Sequence, residues 1–569
     1  MAITETIKSD GQTLQLGTYE LISIDTNKEF NKIPTAEVKL YDGSVAKQEF
    51  KTLNDNAFLP GSKIEIFLKK EGELATEEKV FEGIVVNQGL ERSMDRSILT
   101  IELYDMSLKM TALRSSTIYK NETDKEIIKG LVEKHELKVG EIDKTTTRHA
   151  QMVQYYVSDW DFMLSRAEAN GQLVVANDGE IEVVSPKIQD PFLTLKFGID
   201  LYDFDLKFNG QDQYKEVVAF GLDIKVNAIK KGEKEQKDKE LTFTNPKKGN
   251  EYKLDTIGYN DISNIASVIG AEQAQIVHAA PLQSSELQAW SDAQIIKSRL
   301  SLIQGAIKIS GNGTIKVGQT LKMENVSRFN GSHIISGVRQ VYTKNKGWYT
   351  YLQIGMDRAW FTSRTDMVDP QAAGLLPGVN GLHLGTVTGH KEDPNNQFFV
   401  LVSIPAFHKD SKPTEVSALY TSLDAGANHG IFFPPQIGDR VVLGFLNDDP
   451  RQAIILGAMH SYKLPNTVKE KNKYRGIFTK SNYKLLFDEE TQMVILSTAD
   501  ENNEKENKIC IDQKQKCINL EDAHGNKIEL NKNGITITSI KDCQIKTDGN
   551  FSIEAKGNVK IKGKKVDLL

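Results

Sequence analysis

Apolar and polar residues alternate with a period of two over much of the first half of the chain, as in residues 63–68 (KIEIFL) and 98–103 (ILTIEL), and this predicts half-buried strands. A few helices interrupt them. Thr123 followed by Glu126 forms a capping box ahead of Ile127, Ile128, Leu131 and Val132, which share one helical face. Ser158 with Asp161 is a second cap. It leads into Phe162, Met163, Ala167 and Ala169, and Gly171 stops the helix. Strands are expected at 172–176 and 180–184, joined by an Asn-Asp-Gly turn. A third helix is expected over 291–304, where Ile295, Ile296, Leu300 and Ile303 recur at helical spacing, with strands from there to Ile354. Residues 230–240 (KKGEKEQKDKE) read as a solvated loop.

Periodicity fails over 365–384, where Pro370, Gly374, Pro377, Gly378 and Gly381 accumulate, and this marks a linker after a first region of residues 1–364. Short alternating runs then return at 398–404, 416–420, 440–445 and 453–456. About five strands in so short a stretch, 385–462, suit a small barrel of the OB type.

From 469 to 569 the character changes again. Ile535/Ile537, Cys543/Ile545, Phe551/Ile553 and Val559/Ile561 are alternating pairs, each beginning eight residues after the last, with Gly534, Asp542, Asn550 and Asn558 just before them. Ile528/Leu530 is a looser unit ahead of the array, and Ile509/Ile511 and Ile518/Leu520 are looser still. Burying two side chains does not offset the ordering of eight backbone residues, so such a unit needs neighbours. A solenoid coiled on itself, three chains wound together, or an ordinary antiparallel meander would each supply them; the sparse apolar content favours three chains. On that reading Ile528, Leu530, Ile535, Ile537, Cys543, Ile545, Phe551, Ile553, Val559 and Ile561 form the shared core, and Val566, Leu568 and Leu569 end in an apolar surface that invites a lid.

Composition narrows the function. The chain has 569 residues and a net charge of −6, with no domain-sized basic stretch, which argues against nucleic acid as a partner. Its length implies several domains. Cys510, Cys517 and Cys543 match no zinc or redox spacing and read as small core residues. The start of the chain carries no secretory signal pattern and no later stretch suits a spanning helix, so folding in the cytoplasm is expected, with any export by another route. H-E-x-x-H, G-x-S-x-G, Walker and G-x-G-x-x-G motifs are absent, the histidines are scattered, and none follows His524, so neither a catalytic residue, a cofactor nor a metal is assigned. The acid pairs Glu489/Glu490 and Asp448/Asp449 sit side by side in turns, unlike the separated carboxylates of glycoside cleavage.

With these features in place, the chain resembles the VgrG family of type VI secretion spikes and the related hub and needle proteins of phage tails and extracellular injection systems. The run QYYVSDWDFMLSRAEANG (154–171) resembles the family's hub motif, and NHGIFFPPQIGDRVVLGFLNDDPRQAIILGAMH (428–460) its barrel segment. Where the family usually carries a tryptophan-containing strand, this chain reads SALYTSL (417–423), a mark of a divergent branch. The resemblance implies a mainly β fold with some α+β. It comprises phage-hub-like N-terminal domains, an OB-fold barrel and an intertwined triple-stranded β-helix in a homotrimer. It also implies as partners an inner tube protein, baseplate proteins, a PAAR-like tip protein, effector cargo and, transiently, a target membrane, with release from the producing cell by contraction.

Two other classes compete with this reading. A cell-wall-degrading tail lysozyme would need a domain between barrel and needle, where only the few residues between His460 and Lys469 stand. A trimeric fibre or adhesin would share the repeat but leave the motif at 154–171 unexplained.

Overall fold

The computed structural model describes residues 2–567 apart from 16, 18, 73–75, 93–95, 224–241, 251–258, 279–281, 366, 368–370, 393–397, 410–411, 461–473 and 500–505. The charged stretch at 230–240, Leu568 and Leu569 therefore lie outside the described residues. The chain divides into two compact units, Met1–Asp369 and Pro370–Leu569.

In the N-terminal unit, alternation builds the sheet that periodicity predicted. Strands Lys63–Lys70 and Ser97–Tyr104 each send every second side chain inward, and Ile64, Ile66, Leu68, Leu99, Ile101 and Leu103 are wholly buried. They belong to a 13-stranded sheet whose path runs from Asp203–Phe208 through Ile303–Ser310, Gly347–Ile354 and Gly331–Thr343 into Glu20–Glu29 and Thr35–Tyr41. From there it continues through Ser97–Tyr104, Glu78–Arg92, Lys63–Lys70 and Ile3–Ser9 to Gln12–Thr13. One apolar core gathers under the early strands, and a second, around Ile307, Leu321, Ile335 and Leu352, under the late ones.

Between early and late strands lies a helical layer. Helix α1 (Asp124–Lys134) begins with the expected capping box between Thr123 and Glu126. Helix α2 (Asp159–Ala169) is capped by the Ser158 hydroxyl, which accepts from the Asp161 backbone N–H at 3.1 Å. Both pack on the hairpin Leu173–Asn177/Glu180–Val184, closed by Asp178 and Gly179 at positive φ. Helix α3 (Tyr259–Val268) was not anticipated from the sequence. Helix α4 spans Ser284–Leu300, which corrects the expected 291–304. Ser291, taken as a start, is wholly buried in mid-helix and donates its hydroxyl to the Gln288 carbonyl, while Ile303 and Gln304 already belong to the next strand. Among the described residues no helix is long and apolar enough to cross a membrane.

The C-terminal unit opens with a closed five-stranded barrel, in the order His383–Glu392, Phe398–Lys409, Lys412–Tyr420, Ala453–Met459, Arg440–Phe445. Val387, Val400, Val402, Val441, Leu443 and Ile455 fill it. Gly385 allows two strands to close on each other: a Cβ there would sit 2.3 Å from Val402 Cγ1 and 2.8 Å from Leu443 Cδ1.

After the barrel comes a seven-stranded antiparallel meander: Tyr474–Phe478, Tyr483–Asp488, Met493–Ala499, Glu506–Asp512, Cys517–Glu521, Lys527–Asn531 and Gly534–Thr538. Over 474–538, therefore, the strands pair with one another within one chain. Side chains hold the turns: Asp488 accepts from the backbone of Glu490 and Thr491, Asp512 from Gln515, and Asp522 from His524 and Asn526. Local hairpins therefore close without help from another chain.

Candidate assembly interface

Register decides what the meander presents. Ile477 lies opposite Leu485, Leu485 opposite Leu496, Leu496 opposite Ile509, Ile509 opposite Leu520, Leu520 opposite Ile528, and Ile528 opposite Ile537. A second row runs beside it through Phe487, Val494, Ile511, Ile518, Leu530 and Ile535. Side chains two apart on a strand share a face, so both rows lie on one face of the sheet. The opposite face is the better covered: Leu486, Cys510 and Ser497 are buried there, whereas Leu496, Ile509 and Ile511 stand open to solvent. A trough of about 500 Å³, lined by Leu496, Ile509, Leu520, Ile528 and Ile537, runs along the open rows. An apolar face continuous over seven strands is the kind of surface that marks an interaction site.

Beyond Thr538 the backbone changes. Residues 542–547, 550–555 and 558–563 run without a turn between bends at 540–541, 548–549, 556–557 and 564. The bends thus recur every eight residues, in step with the apolar pairs. No described residue after Thr538 belongs to a strand ladder of this chain. Ile545, Phe551, Ile553, Val559, Ile561 and Val566 are all exposed, as is Cys543.

The structure thus brings together four of the ten expected core residues, as the pairs Ile528/Ile537 and Leu530/Ile535, and strings Cys543, Ile545, Phe551, Ile553, Val559 and Ile561 along the extended segment. Sequence reading missed Ile477, Leu485, Phe487, Val494 and Leu496 as members of the same face; their alternation was visible, but their cross-strand partners were not. The three cysteines differ in exposure within the single chain. Cys510 alone is buried, which pushes its thiol pKa up, whereas Cys517 is half-buried and Cys543 exposed.

The polar clusters elsewhere are internally satisfied. Asp124 at the start of α1 is buried against Arg166, whose Nε and Nη2 donate at 2.7 and 3.0 Å, against Asn170 at 2.8 Å, and against His149 at 3.1 Å. Burial opposes ionisation, but the hydrogen bonds from His149, Arg166 and Asn170 outweigh it and hold the carboxyl well below the usual range. Asp159, at the start of α2, meets Lys134 at 2.7 Å, His135 at 2.8 Å and Gln154 at 2.7 Å, and its carboxyl too is held low against the cost of burial. These groups pin helices together. Asp449 is held by its own turn through Arg451. Among the described residues no group of three or more His, Cys, Asp or Glu is arranged to hold a metal ion.

Against known proteins, residues 383–460 match the type VI secretion system/phage-baseplate injector OB domain. The match spans the barrel and contains the segment 428–460. No curated protein matches the chain. Among solved structures, the 43 kDa tail protein of prophage MuSo2 from Shewanella oneidensis is 10% identical, with 63% of this chain and 99% of that one covered at a TM-score of 0.45. The tail protein from Neisseria meningitidis MC58 is 13% identical, with 64% and 99% covered at 0.43. The Francisella PdpA-VgrG complex in its half-lidded form is 12% identical, with 94% and 87% covered at 0.41. Residues 1–344, more than half of the chain, match the family described as the Alg8 N-terminal domain, and the chain belongs to that family.

Proposed function

We propose that the chain is the trimeric spike of a contractile injection machine, joining an inner tube to a needle that is driven through a target membrane and carries effectors with it. The observation that carries the proposal is the uncovered apolar face of the meander, continued by an extended segment whose apolar pairs and bends keep one eight-residue step. A chain left with an open apolar face and unpaired extended backbone is completed by further copies of itself, and three such arms winding about one axis leave no free sheet edge. The injector OB domain at 383–460 supports the setting.

The work is mechanical. Sheath contraction pushes the tube, and a column without free edges transmits that force to a small area. On this reading the N-terminal unit meets the inner tube and baseplate proteins, Val566 belongs to the surface that a PAAR-like tip protein covers, and Ile535, Ile537, Cys543, Ile545, Phe551, Ile553, Val559 and Ile561 face the axis. Native mass spectrometry of the full-length chain tests the stoichiometry: a species of three times 63.6 kDa is expected, and a monomer at micromolar concentration would count against the proposal.

A further inference from the structure

Charge is distributed unevenly along the extended segment. Over residues 539–555 two lysines stand among three carboxylates, whereas 556–567 hold five lysines and one carboxylate. That carboxylate, Asp567, pairs with Lys565 at 2.9 Å. Lys556, Lys560, Lys562 and Lys564 are exposed, and none has a carboxylate partner among the described residues. Lys560 and Lys562 alternate with Val559 and Ile561, so when the apolar pair faces an axis these lysines face outward. Lys556 and Lys564 stand at bends eight residues apart. The chain as a whole is acidic, at −6, so this cationic girdle contrasts with the rest of the molecule. Such asymmetry points to a polyanionic surface as partner.

We infer that residues 556–567 form a docking surface for anionic phospholipid membranes, with Lys556, Lys560, Lys562 and Lys564 contacting headgroup phosphates. This rests on the three-chain reading, which turns four uncompensated charges per chain into twelve around one rod. A bilayer fits better than an isolated phosphate. The cations are spread along extended chain around a rod rather than gathered into a pocket, and a laterally continuous anionic surface engages them together. Attraction of this kind acts within a Debye length of the surface and fades with salt.

The experiment is co-sedimentation of the full-length chain, first shown to be trimeric by native mass spectrometry, with vesicles of phosphatidylcholine alone or mixed with phosphatidylglycerol. Partition onto the phosphatidylglycerol vesicles is expected to exceed that onto phosphatidylcholine by at least about tenfold and to fall steeply between about 50 and 500 mM salt. Substituting Lys556, Lys560, Lys562 and Lys564 together by Gln should abolish the preference in a protein that is still trimeric; substituting all four by Arg should keep it. Equal binding to both vesicle types, or an undiminished preference in the Gln variant, would overturn the inference. A trimer without lipid preference would refute this docking surface alone, whereas a monomer would refute the spike reading.

Discussion

Ile528 lies directly across the ladder from Ile537 in the last hairpin of the meander, yet 39% of the first and 65% of the second remain open to solvent. Such a pair gains little from its own hairpin, and on the proposed three-chain reading its burial comes from further copies of the chain. On that reading, replacing Ile537 or Ile553 by Asp would place three like charges near one axis, at a cost of roughly 3–5 kcal/mol per chain. Both variants are expected to remain monomeric, with the N-terminal unit still folded by circular dichroism and resistant to protease. A trimer of normal stability from Ile553→Asp would remove that residue from the shared core.

Cys543 offers a chemical ruler. It occupies the same register position as Ile535, Phe551 and Val559, so in three wound chains its thiols approach one another, and a disulfide requires Cα atoms within about 7 Å. Mild oxidation of the trimer should give a cross-linked dimer on a non-reducing gel, and Cys543→Ser should eliminate it. A verified trimer that never cross-links would place Cys543 off the axis-facing row.

The buried Asp124 sets a pH dependence. Its carboxyl is held well below the usual range in the folded protein by His149, Arg166 and Asn170 against the cost of burial, and in the unfolded chain it returns to about 3.9. A depressed folded-state pKa contributes stability above the unfolded value, and that stability is lost as pH falls below about 4. Thermal melts of the wild type should show the N-terminal unit weakening through that window. Asp124→Asn should be destabilised at neutral pH and show a shallower acid limb; an unchanged acid limb would mean that Asp124 does not drive the transition.

Gly171 ends helix α2 at φ +68, and a Cβ there would meet Ile296 Cδ1 at 2.9 Å and the backbone of Ala293 at 3.2 Å. Gly171→Ala should cost about 1–2 kcal/mol from the left-handed backbone alone, with the contact on helix α4 adding to it. Chemical denaturation of the N-terminal transition measures this, and a change below about 0.5 kcal/mol would show that the turn relaxes freely.

Local chemistry made much of this fold legible. The Thr123–Glu126 box, the Ser158 cap and the Asn-Asp-Gly hairpin were readable because each is closed by residues within a few positions of one another. The expectation places helix α4 seven residues late because its N-terminal box uses Gln283 with Glu286, a weaker signal than Ser or Thr, and because the apolar spacing on which it rests begins only at Ile295. The apolar face of the meander was half legible. The alternation of Ile509/Ile511 and Ile518/Leu520 was plain, but the register joining them to Leu496 and Ile528 depends on turns that single-strand periodicity does not encode. The eight-residue step after Gly534 was readable as a repeat and reappears in the spacing of the bends.

Electron microscopy of the negatively stained full-length protein tests the central claim most directly, because it reports symmetry and shape together. The account predicts particles with three-fold symmetry, a broad head and one narrow rod. Compact single-chain particles without a rod would contradict it, and the open face of Ile528 and Ile537 would then need another occupant.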